Sequence, residues 1–288
     1  MVLNPSSGHG AGRRLLPQIQ TLLAHTFGNQ ARLMVSTSAE HVLKLAQDSV
    51  QQGADVFVVC GGDGSAHYAI QALAQTTTAL GMVPIGSGND LALNLGIPME
   101  PERSLEILSH GITRSIDVAQ TRSAIYACIA GVGLDSEVNR RANDRRWWIR
   151  GRAIYPAAIL RTLMTFHPRR VRIRCDERTF EGPIMFAVVA NAPSYGRGIR
   201  IAPMAVLDDG ALDVCIIKAM SKLELLRVYP RTYRGTHIDH PALVMLRGRE
   251  VQIESEEPLE LFGDGEYLES TPTRIQILPH ALRVVVPK

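Results

Sequence analysis

Four acidic side chains in glycine-bearing loops have the types and spacing to do chemistry. Asp63 lies in Gly61-Gly62-Asp63-Gly64-Ser65, Asp90 closes Gly86-Ser87-Gly88-Asn89-Asp90, and Asp264 and Glu266 flank Gly265 in FGDGEYLE (262–269). Glycines let a backbone approach a bulky anion and take positive φ. N–H groups at the start of a following helix then face that anion. A third glycine-rich stretch, NPSSGHGAG (4–12), adds Asn4 and Gly8, and Ser6, Ser7, Ser65 and Ser87 add hydroxyls. The pattern is a phosphate cradle. It is not a P-loop, because no GxxxxGK followed by Ser or Thr occurs, and it is not the dinucleotide fingerprint, because Leu91 stands where the third glycine would be. A carboxylate repels phosphate unless a cation lies between them, and Mg²⁺ takes one or two carboxylates plus phosphate oxygens. Asp63 and Asp90 together point to a nucleoside triphosphate with Mg²⁺, whereas either alone reads as a helix N-cap. Transfer of a phosphoryl group to a hydroxyl needs a group that takes the alcohol proton. Asp264 and Glu266 are the candidates, with an ordinary Asp-Gly turn as the alternative.

The elements that would position these residues alternate over the first 117 residues. Val2–Leu3 reads as a strand, 11–24 as a helix, Arg32–Ser36 as a strand and 39–51 as a helix. Ala54–Cys60 is a continuous apolar run, as expected of a strand covered on both faces. Helix 66–74, strand Met82–Ile85 and a short helix after GSGND follow. Repeated strand–helix units predict a parallel sheet wrapped by helices. Each glycine loop follows a strand, so all three would line one crevice at the carboxyl edge of the sheet. Beyond about residue 125 the pattern changes. Helical stretches 137–148 and 152–166 lead into strands at Val171–Cys175, Ile184–Asn191, Leu212–Ile217, Glu250–Ser255, Leu259–Phe262, Arg274–Leu278 and Leu282–Val286. These predict an antiparallel sandwich. Two domains follow, 1–120 and 121–288, with the end of the chain, from Arg274 to Lys288, a candidate to return to the first.

The chain of 288 residues is 45% hydrophobic and 20% charged, which suits a globular protein. No transmembrane run and no signal peptide is expected. Cys60, Cys128, Cys175 and Cys215 form no C-x-x-C pair and read as buried thiols of a cytoplasmic protein. The net charge of +3 is uneven. From Arg140 to Arg178 twelve Arg face Asp144, Asp176 and Glu177, a local +9 that suggests an anionic partner. Within it, 140–166 sets Arg beside Trp147 and Trp148 and then an apolar helix, a composition suited to the inner face of a membrane. The alternative is that both Trp pack in the core. No nucleic-acid module accompanies the arginines, so nucleic acid is not an expected partner. Self-association as a homodimer stays open. His237, Asp239 and His240 read as a surface loop, with no third histidine or cysteine for a metal.

Together these segments resemble the diacylglycerol kinase catalytic-domain family, which includes bacterial lipid kinases and sphingosine kinases. GGDGS is similar to its GGDG-Thr/Ser signature, and PIGSGNDLALNLGIP (84–98) to its second glycine segment. SIDV (115–118), NAPSYGRGIRIAPMAVLDDGALDVCII (191–217) and GDGEYLESTPTRIQILPHALRVVVP (263–287) resemble landmarks of its second domain. GGDG alone is shared with NAD kinases and 6-phosphofructokinases. The combination with GSGND and the late DGE is specific.

The resemblance implies an N-terminal α/β nucleotide-binding domain of the NAD kinase and diacylglycerol kinase type, a C-terminal antiparallel β-sandwich, and ATP in the cleft between them. It implies Mg²⁺-assisted transfer of the γ-phosphate to a lipid hydroxyl. Carried onto this chain, Asn4, Ser6, Ser7, Gly8, Thr37, Gly61, Gly62, Asp63, Gly64, Ser65, Ser87, Gly88 and Asn89 would hold ATP. Asp63, Asp90 and Asp117 would organise the catalytic Mg²⁺, and Asp264 or Glu266, with Glu266 preferred, would be the base. A structural Mg²⁺ of some members maps to Asp209 with the backbone of Val206 and Ala211. This chain departs from the family at His67-Tyr68, where Asn-Glu is usual, and at Leu91-Ala92-Leu93, where Phe-Ala-Arg is usual. Its opening loop lacks a lysine, leaving Arg13 or Arg14 to meet phosphate. Two other functions compete: a kinase of a soluble alcohol, and a catalytically weak nucleotide-binding regulator. The sequence does not separate ATP from GTP.

Overall fold

A computed structural model describes residues 1–143 and 154–288. Trp147 and Trp148 lie outside the described residues. In chain order the elements are β1 (Val2–Leu3), α1 (Ser7–Phe27), β2 (Met34–Val35), α2 (Ala39–Gln51), β3 (Val56–Gly61), α3 (Asp63–Leu73), β4 (Ala79–Pro84), α4 (Asp90–Asn94), α5 (Pro101–His110) and β5 (Ile112–Gln120). There follow β6 (Ile125–Tyr126), β7 (Ile129–Gly133), α6 (Leu134–Asn143), α7 (Ile154–Thr165), β8 (Arg169–Cys175), β9 (Arg178–Ala190), β10 (Leu212–Lys218), α8 (Lys222–Thr232), β11 (Leu243–Gly248), β12 (Glu250–Ser255), β13 (Glu260–Gly263), β14 (Glu266–Ser270) and β15 (Thr273–Val286). The chain forms two units. One is Met1–Val118 with Leu278–Lys288, the other Ala119–Ile277.

In the first unit β2, β1, β3 and β4 pair in that order, all parallel, and the last part of β15 adds in parallel to β4. Every residue of β4 is buried, which explains its unbroken apolar sequence. Helix α2 starts where Ser38 accepts a hydrogen bond from the His41 amide, and it turns Val42 and Ala46 inward. The core beneath the sheet gathers Leu3, Ile19, Leu23, Cys60, Val83 and Leu105. Helix α1 begins at Ser7, not at residue 11 as the apolar spacing predicts, so most of the opening glycine stretch is helical. Gly8 and Gly10 take positive φ inside it, 59° and 88°. Helix α5 has no counterpart in the sequence reading, because its apolar stripe is short and only Leu105 and Ser104 are buried.

In the second unit an antiparallel sheet runs β14-β13-β7-β9-β8-β12-β15, with β10 paired to β9 and β11. The long β9 divides its partners: Arg178–Ile184 pairs with β8, and Phe186–Ala190 with β7, while β10 lines its other edge. That switch wraps the sheet around a core that includes Val132, Ile173, Val189, Val214, Leu261 and Ile275. The four cysteines are buried and unpaired with one another. His237 is fully buried, with Nε2 3.0 Å from the Ile201 carbonyl, so the expected surface loop is an inward-facing turn. Among the described residues, several arginines of the basic segment are balanced locally. Arg140 pairs with Glu260, Arg169 with Glu257 and Arg170 with Glu256, and Arg172 stands opposite Glu254 across the β8–β12 ladder. No helix among the described residues is long and apolar enough to cross a membrane.

Candidate active site

The register of the parallel strands puts the expected nucleotide loops side by side. Leu3 is opposite both Val35 and Cys60, and Gly61 is opposite Pro84. The residues that follow, Asn4, Ser36–Thr37, Gly62 and Ile85–Gly86, therefore form a row along the carboxyl edge. The order β2-β1-β3 places a topological switch between β1 and β3, where such sheets bind ligands. Asn4 spans it, donating from Nδ2 to Ser65 Oγ at 2.9 Å, and its Oδ1 accepts the Ser6 amide. Thr37 is exposed at the edge, with its hydroxyl and amide both on His41 Nδ1.

The glycines of these loops meet one another. A Cβ on Gly86 would lie 2.3 Å from Gly62 Cα, one on Gly62 2.9 Å from Gly86 Cα, and one on Gly8 2.2 Å from the Ile85 carbonyl oxygen. Loop-to-loop contact, and not only access for an anion, thus fixes these positions as glycine. Gly88 is held the same way, since its Cβ would strike Asp63 Oδ2. The loops border a small recess whose walls include Val59, Ala66, Met82 and Leu91.

Asp63 and Asp90 are neighbours, but Asp63 already has work within the fold. Its Oδ2 accepts the Asn89 amide and its Oδ1 the Asp90 amide, each at 2.7 Å, so it caps α4 from the first turn of α3. Asn89 takes αL geometry at φ 61°, which Asn tolerates. It closes the loop by accepting from the Gly86 amide at 2.9 Å and donating to the Gly86 carbonyl at 3.0 Å. Asp117 is fully buried on β5 and accepts the His280 amide at 2.7 Å. Among the described residues no group of three or more His, Cys, Asp and Glu gathers as a metal cluster. The cradle itself fits phosphate. Gly62 is the N-cap of α3 and brings no side chain to the first-turn N–H groups. Asp63 and Asp90 set two carboxylates beside Gly88, the donor type that Mg²⁺ takes together with phosphate oxygens.

In the second unit the two acids of the DGE turn separate in role. Asp264, at φ 50°, accepts three backbone amides: Ala127 on Oδ2 at 2.7 Å, Cys128 and Ile129 on Oδ1 at 3.0 and 3.1 Å. Burial pushes its carboxyl above the ordinary range and the three amides pull it back. Asp264 shapes the turn into β7. Glu266 opens β14 opposite Gly263 and is partly buried. One acid escapes the sequence reading. Asp135, in the first turn of α6, accepts the Tyr195 hydroxyl at 2.8 Å, and burial lifts its carboxyl to about 6. A Cβ on Gly131 would lie 2.5 Å from its Oδ2. The available signal was an acid directly after the apolar run IAGVGL.

The turn expected to hold a structural Mg²⁺ is differently occupied. Asp209 accepts the Ala211 amide on Oδ1, and its Oδ2 lies 2.5 Å from Arg247, which also approaches Asp213 at 3.7 Å. A guanidinium balances these carboxylates, and the residues do not fit a metal there.

Residues 1–121 match the family described as "Diacylglycerol kinase catalytic domain", and residues 128–286 the family described as "YegS C-terminal NAD kinase beta sandwich-like domain". A diacylglycerol kinase of Mycobacterium tuberculosis is 32% identical over 99% of this chain and 94% of its own length. One of Bacillus subtilis is 28% identical, covering 100% of this chain and 96% of its own. A crystal structure of a putative diacylglycerol kinase from Bacillus anthracis superposes with a TM-score of 0.82 at 22% identity, covering 99% and 95% of the two chains. On these matches, this chain belongs to the diacylglycerol kinase catalytic-domain family.

Proposed function

We propose that this kinase transfers the γ-phosphate of ATP to the hydroxyl of a lipid of the diacylglycerol or sphingoid type. The observation that carries the reading is the row of glycine loops along the carboxyl edge of the first unit, with an α3 N-terminus left open to phosphate. The backbone of Gly62–Ser65 and of Gly86–Asn89 holds the triphosphate, and Ser87, exposed, lends its hydroxyl. Asp63 and Asp90 face the tail with negative charge, so the nucleotide is taken with Mg²⁺, which when bound offsets charge on the phosphate oxygens. Glu266 accepts the substrate hydroxyl proton, while Asp264, saturated by three amides, positions that turn. Relatives named diacylglycerol kinase, and a Shewanella frigidimarina protein named probable lipid kinase YegS-like at 26% identity, support a lipid acceptor.

The test is a radiolabelled ATP assay with mixed lipid vesicles and extracted metabolites. Label in the organic phase is expected. Label confined to water-soluble products would replace the lipid by a soluble alcohol, and label in neither would leave a nucleotide-binding regulator. Glu266→Gln is expected to lower kcat by about 10²- to 10⁴-fold with an unchanged melting temperature. Asp264→Asn should instead lower stability by about 2–4 kcal/mol, since it turns an amide group toward backbone donors. The reverse pattern would exchange the two roles.

A further inference from the structure

The outward faces of α7 and α8 carry aliphatic side chains where a solvated helix would carry Glu and Lys. On α7, Ala158, Thr162 and Leu163 turn inward, while Leu160 and Met164, one turn apart, are 58% and 66% exposed. On α8, Leu225, Val228 and Thr232 turn inward, while Leu223 and Leu226 are 58% and 47% exposed. Helical spacing continues the α8 stripe through Arg227 and Pro230 to Tyr233 and Arg234, all exposed. The two helices are joined at this face, because Lys222 Nζ donates to the Met164 carbonyl. The charge of the face is mainly positive. Between Ile154 and Thr165 there is no acid, and Arg161 is exposed beside Leu160. The one acid of α8, Glu224, lies 3.4 Å from His240 Nε2.

We propose that this face rests on an anionic lipid bilayer, with Leu160, Met164, Leu223 and Leu226 entering the headgroup boundary and Arg161, Arg227 and Arg234 meeting lipid phosphates. An apolar stripe rimmed by arginine and tyrosine matches the two layers of a bilayer interface, and helices so built lie in its plane. A second copy of this chain is a poorer occupant, because a two-fold contact would set the same arginines against each other. The inference deepens the lipid-kinase reading and rests on it for purpose. It moves the contact surface from the expected 140–166 segment alone to a pair of helices that includes α8.

The test uses the full-length protein and vesicles of phosphatidylcholine, alone or with about one third phosphatidylglycerol. Co-sedimentation with the anionic vesicles is expected, weakening as salt is raised. The double variant Leu223→Glu/Leu226→Glu, and separately Met164→Glu, should lose about tenfold or more of that binding with a native circular dichroism spectrum. Ile112→Glu, an exposed apolar site in the first unit, should bind as wild type. Equal pelleting of wild type and double variant overturns the proposal. So does binding that ignores vesicle charge, or a wild-type dimer in sedimentation that the double variant turns into monomer. Phosphorylation of a dispersed short-chain diacylglycerol separates the two readings. Vesicle binding without lipid phosphorylation sinks the substrate reading and leaves the surface. Phosphorylation with unaltered binding by the variants sinks the surface and leaves the substrate.

Discussion

At the scale of single residues, acids in this chain differ by what already holds them. Asp63 and Asp264 spend their oxygens on backbone amides, Asp209 on Arg247, and Asp135 on one tyrosine hydroxyl. At Asp135 burial outweighs its partner and brings the carboxyl to about 6 from an ordinary 3.8. A carboxyl that keeps its proton longer when folded binds more protons than the unfolded chain between those two values, so folding loses stability as pH rises through that window. The loss is complete above pH 6 and amounts to about 3 kcal/mol at most. Asp135→Asn retains an oxygen for the Tyr195 hydroxyl and removes the charge. It is expected to melt higher than wild type at pH 8, by about 1–3 kcal/mol of stability, and no higher at pH 4. Melting curves at both values check this, and a difference that does not change with pH would refute the assignment. The glycine loops and their acids were legible in the sequence; the hydrogen bonds those acids make were not. Asp63 and Asn89 stand in the motif as ligands of phosphate or metal, yet each also holds a loop together, because a hydrogen bond between residues 26 apart leaves no mark on local composition.

At the scale of elements, two contacts hold loops in place, one in each unit. The first is the meeting of the β3–α3 and β4–α4 loops. Gly86→Ala puts a carbon 2.3 Å from Gly62 Cα and 2.7 Å from Asn89 Oδ1, and neither backbone nor cap can give way cheaply. A loss of about 1–3 kcal/mol in stability is expected, with binding of a fluorescent ATP analogue weakened about tenfold or more. Gly53→Ala, at φ 72° with open space around it, should cost about 1 kcal/mol in stability and leave nucleotide binding alone. The second is the Asp209–Arg247–Asp213 cluster at the ends of β10 and β11. With a guanidinium between the carboxylates, neither chelator nor Mg²⁺ should move the melting temperature of the nucleotide-free protein. Arg247→Met leaves Asp213, 3% exposed, without its cation. It should lower stability by about 1 kcal/mol, the half-exposed guanidinium being screened by solvent, and millimolar Mg²⁺ should restore part of it. A wild-type melting temperature that falls in EDTA would return the metal to this turn.

At the scale of the molecule, the sequence announced two architectures because their periods differ: strand–helix alternation to about residue 117, then short strands separated by turns. It was weaker wherever an element owes its existence to partners distant in the chain. β5, β6, β7, β11 and β14 are short or mixed in polarity, and their ladders supply what their composition lacks. The last strand shows this most clearly. Its two apolar runs read as separate strands, with Pro279 between them, but β15 is continuous, and its halves serve different units. Thr273–Gln276 pairs with β12, whereas Val284 pairs with Leu80 on β4. Leu282, Val284, Val285 and Val286 are all buried, at about 2 kcal/mol each, and the His280 amide satisfies the buried Asp117. Their sum rivals the whole stability of an ordinary domain. Deleting 279–288 should therefore unfold the nucleotide-binding unit, although every residue of its glycine loops remains. Hydrogen exchange followed by peptide mass spectrometry is expected to show β3 and β4 losing protection to the level of the unfolded chain, while β8, β9 and β12 keep theirs. Retained protection on β3 would mean that the four parallel strands and their helices fold without the returning strand, and that Asp117 finds its partner elsewhere.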